Sequence, residues 1–168
     1  MEKEIINRIA NSKLETIDLE DFYPDGNRLF FDISPFLYEG LVLREKDFRE
    51  QVKTFNWQQF KNCYVALGCS TDAIIPGWAF MLVSLQLFPF SKITIVGSLT
   101  DLENTIFSEI INDLDLSSFK DKPVIIKGCS KKSIPQNVYI QLTQKLQPIA
   151  KSIMYGEACS SVPLYKKK

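Results

Sequence analysis

The sequence predicts a single three-layer α/β domain, with a mostly parallel or mixed sheet built from βαβαβα and an N-terminal strand and helices added. Three observations predict it. Three short apolar runs, at 63–67, 93–96 and 124–126, alternate with helical patterns, the signature of βαβ units. None of the runs alternates polar with apolar residues, as expected for strands covered on both faces. Each run closes on a glycine (Gly68, Gly97, Gly128) and is followed by a helix-start signal. With 45% apolar and 24% charged residues the composition is that of an ordinary globular domain.

The elements follow in order. Ile5, Ile6 and Ile9 at helical spacing predict a helix over 2–12. Pro24 and Gly26 mark a turn at 23–26. Residues 29–33 read as a strand that Pro35 ends. Residues 44–55 read as a helix with Phe48, Val52 and Phe55 on one face; Glu45–Arg49 and Lys46–Glu50 pair at i,i+4 on the other. That charged run suits a docking surface and, more simply, a wet helix face. After the strand at 63–67, Pro76 opens a helix that runs to Leu87 and stops before Pro89; it is apolar on all sides and is expected to be buried. After the strand at 93–96, Thr100-Asp101-Leu102-Glu103 reads as a capping box, opening a helix with Leu102, Ile106, Ile110 and Leu114 inward. After the strand at 124–126, Pro135 opens a helix with Val138, Leu142 and Leu146 inward. The chain is thus expected to divide into N-terminal helices and strand at 1–60, the βαβαβα core at 61–150 and a C-terminal tail at 151–168.

Charge and residue types narrow the function. Lys plus Arg and Asp plus Glu are 20 each, so there is no basic face of the kind nucleic-acid backbones require. The most apolar stretch, 74–90, is interrupted by Pro76, Gly77, Ser84, Gln86 and Pro89 and falls short of the ~20 residues needed to span a bilayer. The charged start is unlike a secretory signal. The expectation is a cytoplasmic chain without nucleic-acid or membrane partners, in a reducing compartment where its four cysteines stay free thiols or become ligands. There is no histidine, which excludes a Ser-His-Asp or Cys-His nucleophile within the chain.

A repeated turn marks the candidate site. Val65-Ala66-Leu67-Gly68-Cys69-Ser70 leads to Ile75-Pro76 and a helix; Ile125-Ile126-Lys127-Gly128-Cys129-Ser130 leads to Ile134-Pro135 and a helix. A looser version, Ala158-Cys159-Ser160-Ser161-Val162-Pro163, stands near the C-terminus. Cys63 falls outside the pattern and reads as core. Ligands of open parallel sheets bind at strand carboxyl ends, where both turns fall. In a 2-1-3 strand order the two strands are neighbours, about 4.8 Å apart, and Cys69 and Cys129 face one crevice ahead of two helix N-termini, which favour thiolates. Gly68 and Gly128 would let the backbone turn sharply. Cys159 could fold back over the crevice, giving three thiolates with Asp72 or Glu157 as oxygen donor, the donor set of zinc or an iron–sulfur cluster. Three alternatives stand beside this: small residues packed at crowded strand ends; a small α/β enzyme with Cys69 as nucleophile or Asp72 as acid–base group; and a homo-oligomeric or scaffold protein whose aromatics supply an interface.

Five segments carry a family resemblance: DLEDFYP at 18–24, LREKDFRE at 43–50, CSTDAIIP at 69–76, KGCS at 127–130 and KSIMYGEACSSVPLY at 151–165. On these the chain resembles the bacterial domain-of-unknown-function family 2480 over nearly its whole length. The family pattern includes Cys69, Cys129 and Cys159 and not Cys63. The resemblance implies no assigned activity; it implies a setting near iron–sulfur assembly machinery as partner.

Overall fold

The computed structural model describes residues 13–128 and 130–168; the helix expected at 2–12 and Cys129 lie outside them. The strands are β1 (Glu15–Ile17), β2 (Arg28–Asp32), β3 (Tyr64–Gly68), β4 (Ile93–Val96), β5 (Pro123–Ile126), β6 (Ser152–Glu157) and β7 (Ser160–Lys166). The helices are α1 (Glu45–Thr54), α2 (Gly77–Leu87), α3 (Leu99–Asp113) and α4 (Gln136–Leu146). The class is α/β, as the sequence predicts. There are two sheets, however: β2-β3-β4, all parallel, and β1-β5-β6-β7, parallel except for β7. The expected 2-1-3 order does not form. β3 pairs with β2 and β4, while β5 pairs with β1 and β6. The N-terminal strands β1 and β2 each occupy the edge that would have joined β3 to β5.

The described residues divide into two compact units, residues 24–106 and residues 13–23 with 107–168. In the first, the core lies between one face of β2-β3 and helices α1 and α2, with Phe48, Val65, Leu67, Ala79, Val83 and Leu87 fully enclosed. Phe31 sits among Phe36, Phe55, Trp57 and Phe60 at centroid distances of 5.2 to 5.7 Å. Trp57 Nε1 donates to the Val52 carbonyl at 2.8 Å, which ties down the end of α1. Pro76 is the cap of α2 and Gly77 its first residue. Contrary to expectation α2 is buried on one face only; Met81 and Leu85 are open to solvent, because the helix lies on a single sheet layer with nothing described above it. α3 begins earlier than the Thr100 box implies. Its cap is Ser98, whose Oγ accepts from Asp101 N at 3.1 Å while Ser98 N donates to the Asp101 carboxylate at 2.7 Å.

In the second unit, Phe107 and Ile111 of α3, Val138, Leu142 and Leu146 of α4, and Ile17, Val124, Ile126 and Ile153 of the sheet form the core. The segment expected to be a tail is instead the antiparallel hairpin β6–β7, with an irregularity between Ile153 and Met154. Pro163 is tolerated in β7 because an edge strand has amides that need no ladder partner.

The two units repeat one architecture. One constant numbering offset, that from Phe48 to Phe107, relates Val52 to Ile111, Trp57 to Leu116 and Phe60 to Phe119. It carries β3 onto β5 at their first residues, α2 onto α4 at both ends, and the start of β4 onto the start of β6. Registers agree: Leu67↔Val96 corresponds to Ile126↔Tyr155. Loop bonds agree as well. Asn62 N donates to Phe90 O and Asp121 N to Ile149 O, both at 3.0 Å, and Asn62 and Asp121 share a left-handed backbone, φ 62° and 56°. The first strands match too, Phe31↔Leu67 with Ile17↔Ile126. The second unit is therefore interrupted in sequence. Its first strand, β1, precedes the whole of the other unit.

Candidate functional site

Each unit has its polar groups at the carboxyl end of its central strand, and the first strand supplies an aspartate there. In the 24–106 unit, Asp32 ends β2 and accepts from Ser34 N (2.9 Å), Ser34 Oγ (2.7 Å), Ser70 N (3.0 Å) and Ser70 Oγ (2.5 Å). Desolvation pushes the Asp32 carboxyl up, but the bonds from Ser70 and Ser34 outweigh it and hold it at about 2. The four bonds fasten the end of β2 to the turn after β3. An acid this strong is a poor general base, so neither serine is activated by it.

Cys69, half-buried, follows Gly68. Its Sγ lies 3.3 Å from Thr71 Oγ1, and Thr71 donates to Gly40 O at 2.6 Å. The single hydroxyl proton of Thr71 is thereby used, which leaves Cys69 as the donor of its own S–H. Asp72 is exposed and lines an open groove with Leu43, Ile74 and Trp78. Cys63 is buried in the core, as its place outside the repeat implied.

In the other unit Asp18 directly follows β1 and accepts from Glu20 N at 2.9 Å, as Asp32 does from Ser34. Asp18 also pairs with Lys127 Nζ at 3.0 Å. Glu20 Oε2 accepts from Lys131 N at 3.1 Å, with Ser130 Oγ 3.3 Å away. The hydrogen bond and charge of Asp18, with the carboxylates of Glu157 and Glu20 beyond it, hold Lys127 above the usual lysine range. Glu157 ends β6 and Cys159 is exposed in the tight turn to β7. Cys159 is thus part of a hairpin and not a free tail.

The four described members of the expected ligand set divide between the units. Cys69 and Asp72 belong to one, Glu157 and Cys159 to the other; Cys129 lies outside the described residues. Among the described residues no group of three or more Cys, Asp or Glu comes together in a form that could hold a metal ion. β3, which leads to Cys69, and β5 lie in different sheets. Gly68 and Gly128 also serve otherwise than expected. Neither has positive φ; a Cβ on Gly68 would lie 2.6 Å from the Phe30 ring, and one on Gly128 2.9 Å from the Tyr155 ring. They make room for an aromatic ring. Asp18, Glu20, Asp32, Ser34 and Lys127 went unread in the sequence. Their signal is an acid that closes a strand, with its polar partner two residues on: Asp18-Leu19-Glu20 and Asp32-Ile33-Ser34.

Among the described residues no helix is long and apolar enough to cross a membrane. A family model described as "Protein of unknown function (DUF2480)" matches residues 3–167. No curated protein and no solved structure matches the chain. With nearly every residue inside that match, the chain belongs to the DUF2480 family.

Proposed function

We propose that the protein binds a thiophilic metal, as zinc or an iron–sulfur cluster, at the carboxyl end of the β1-β5-β6-β7 sheet, through Cys129 and Cys159 with Glu157 as oxygen donor. The observation that carries this reading is the parallel pairing of β5 with β6, Ile126 opposite Tyr155. The segment that contains Cys129 and the one that contains Glu157 and Cys159 therefore leave the same end of one sheet. Lys127, already within the field of Glu157, would offset part of the charge of two thiolates. A reducing cytoplasmic setting, in which unpaired cysteines persist, suits it. Cys69 and Asp72 are the weaker members of the set, since the strand that leads to them, β3, is not part of that sheet. The enzymatic reading has less support: Asp32 is too strong an acid to serve as base, and Cys69 Sγ is engaged with Thr71 Oγ1.

The test is elemental analysis with a visible spectrum on protein purified anaerobically without chelator. The expected result is near-stoichiometric zinc or iron, lost in Cys129→Ser and Cys159→Ser and kept in Cys69→Ser. A structural metal contributes on the order of 10 kcal/mol against a typical domain total of about 5–15, so a chelator should lower the melting temperature sharply. Absence of metal, with all thiols alkylated at ordinary rates, overturns the proposal.

A further inference from the structure

The duplication supplies an internal control, and the two units differ most at one place. In the 107–168 part the outer edge of β6 is covered by β7. The equivalent edge, that of β4, has no strand on it among the described residues. β4 is Ile93-Thr94-Ile95-Val96, without a charge, a proline or a bulge. These are the usual devices that keep an exposed edge from pairing.

The helix beside that edge differs in the same sense. The outward stripe of α4 is Gln136, Ile140, Gln144 and the cap Gln147; the equivalent stripe of α2 is Gly77, Met81, Leu85 and the cap Phe88. Met81 is 66% exposed, Leu85 67%, Phe88 83% and Val96 58%. Met81 and Val96 line one groove of about 370 Å³ between α2 and β4 with Phe80, Ser84 and Ile95. No residue of α2 is charged. At two of these four positions a glutamine stands where the sheet edge is closed, Gln144 and Gln147, and a large apolar side chain where it is open, Leu85 and Phe88; Ile140 and Met81 are both apolar.

We propose that this face is a homodimer interface, in which β4 pairs antiparallel with β4 of a second copy and the α2 stripes pack together across the dyad. A second copy is the occupant these features fit. A twofold axis perpendicular to the sheet makes the pairing of two identical strands antiparallel, the direction that β7 takes on β6. It leaves both α2 helices on the same face of a continuous six-stranded sheet, so each apolar stripe meets its own copy, the isologous contact of most homodimers. The patch carries no charge to repel itself, and the chain has no net charge. The four exposed side chains offer roughly 500 Å² per copy, so the two faces with the edge backbones reach the ~1,200 Å² at which specific interfaces begin. This inference stands apart from the metal reading.

Sedimentation and light scattering of the full chain from low to high micromolar concentration test it. The wild type should have twice the chain mass at the upper end. The double variant Leu85→Gln, Phe88→Gln copies residues that the other unit carries at equivalent positions and should keep its circular dichroism and melt, while dimerisation weakens by at least about tenfold. Val96→Lys, a charge on the edge strand, should do the same independently. A wild-type monomer throughout the range overturns the proposal. So does a dimer that survives both changes, or a monomer whose edge takes up a different protein strand.

Discussion

Asp32 is the residue on which the first strand-end depends, and its four hydrogen bonds come from two serines far apart in sequence. Asp32→Ala removes both the turn cap and the cross-link to Ser70, and should cost about 1–2 kcal/mol in chemical denaturation. Because the folded carboxyl is held at about 2, against 3.8 ordinarily, its stabilisation is fully present above the ordinary value. It is lost as pH falls through about 2. A plot of stability against pH between about 4 and 2 should therefore be shallower for Asp32→Ala than for the wild type, by a modest margin because solvent still screens a carboxylate that is only half-buried. Residue types were easier to read than their partners. Cys63 as core and Val138, Leu142 and Leu146 as a buried face followed from pattern alone. The roles of Gly68 and Gly128 did not, since the rings that require them, Phe30 and Tyr155, are neighbours in space only.

Elements whose signal is local were legible. The strand at Ile93–Val96 and the helix α4 stand where periodicity and proline place them. Elements defined by a partner were not: β1 is too short to show a period, and β6–β7 was hidden by Gly156 and Pro163. α2 shows the reverse error. Apolar composition on all sides signals covering, and the sequence cannot say whether the cover is the same chain or another. In the β6–β7 hairpin Gly156 has φ 121°, and a Cβ there would lie 2.8 Å from the Ser160 carbonyl oxygen, a backbone atom that cannot swing aside. Gly156→Ala should destabilise by about 2–4 kcal/mol in urea unfolding. It should also free the turn that holds Cys159, so that under the proposed metal site the metal content should fall with it.

For the molecule as a whole, the sequence repeat seen in Gly68-Cys69-Ser70 and Gly128-Cys129-Ser130 is the trace of a duplication that extends from Phe48 and Phe107 to Gly97 and Gly156. It was legible only there because elsewhere the equivalent pairs share burial and register while their identities have diverged, as Trp57 and Leu116 have. The one sheet expected became two because β1 and β2, from the least patterned part of the chain, each open a unit. The two copies then diverge in use: one closes its edge with β7 and gathers Lys127, Glu157 and Cys159 at its strand ends; the other leaves β4 and α2 open. Amide hydrogen exchange tests that division most directly. The amides of β4 that do not bond to β3 should exchange fast in dilute protein and slow down as concentration rises, while those of β6 facing β7 stay protected throughout. Outward β4 amides that behave the same at every concentration, whether protected or open, would contradict the account.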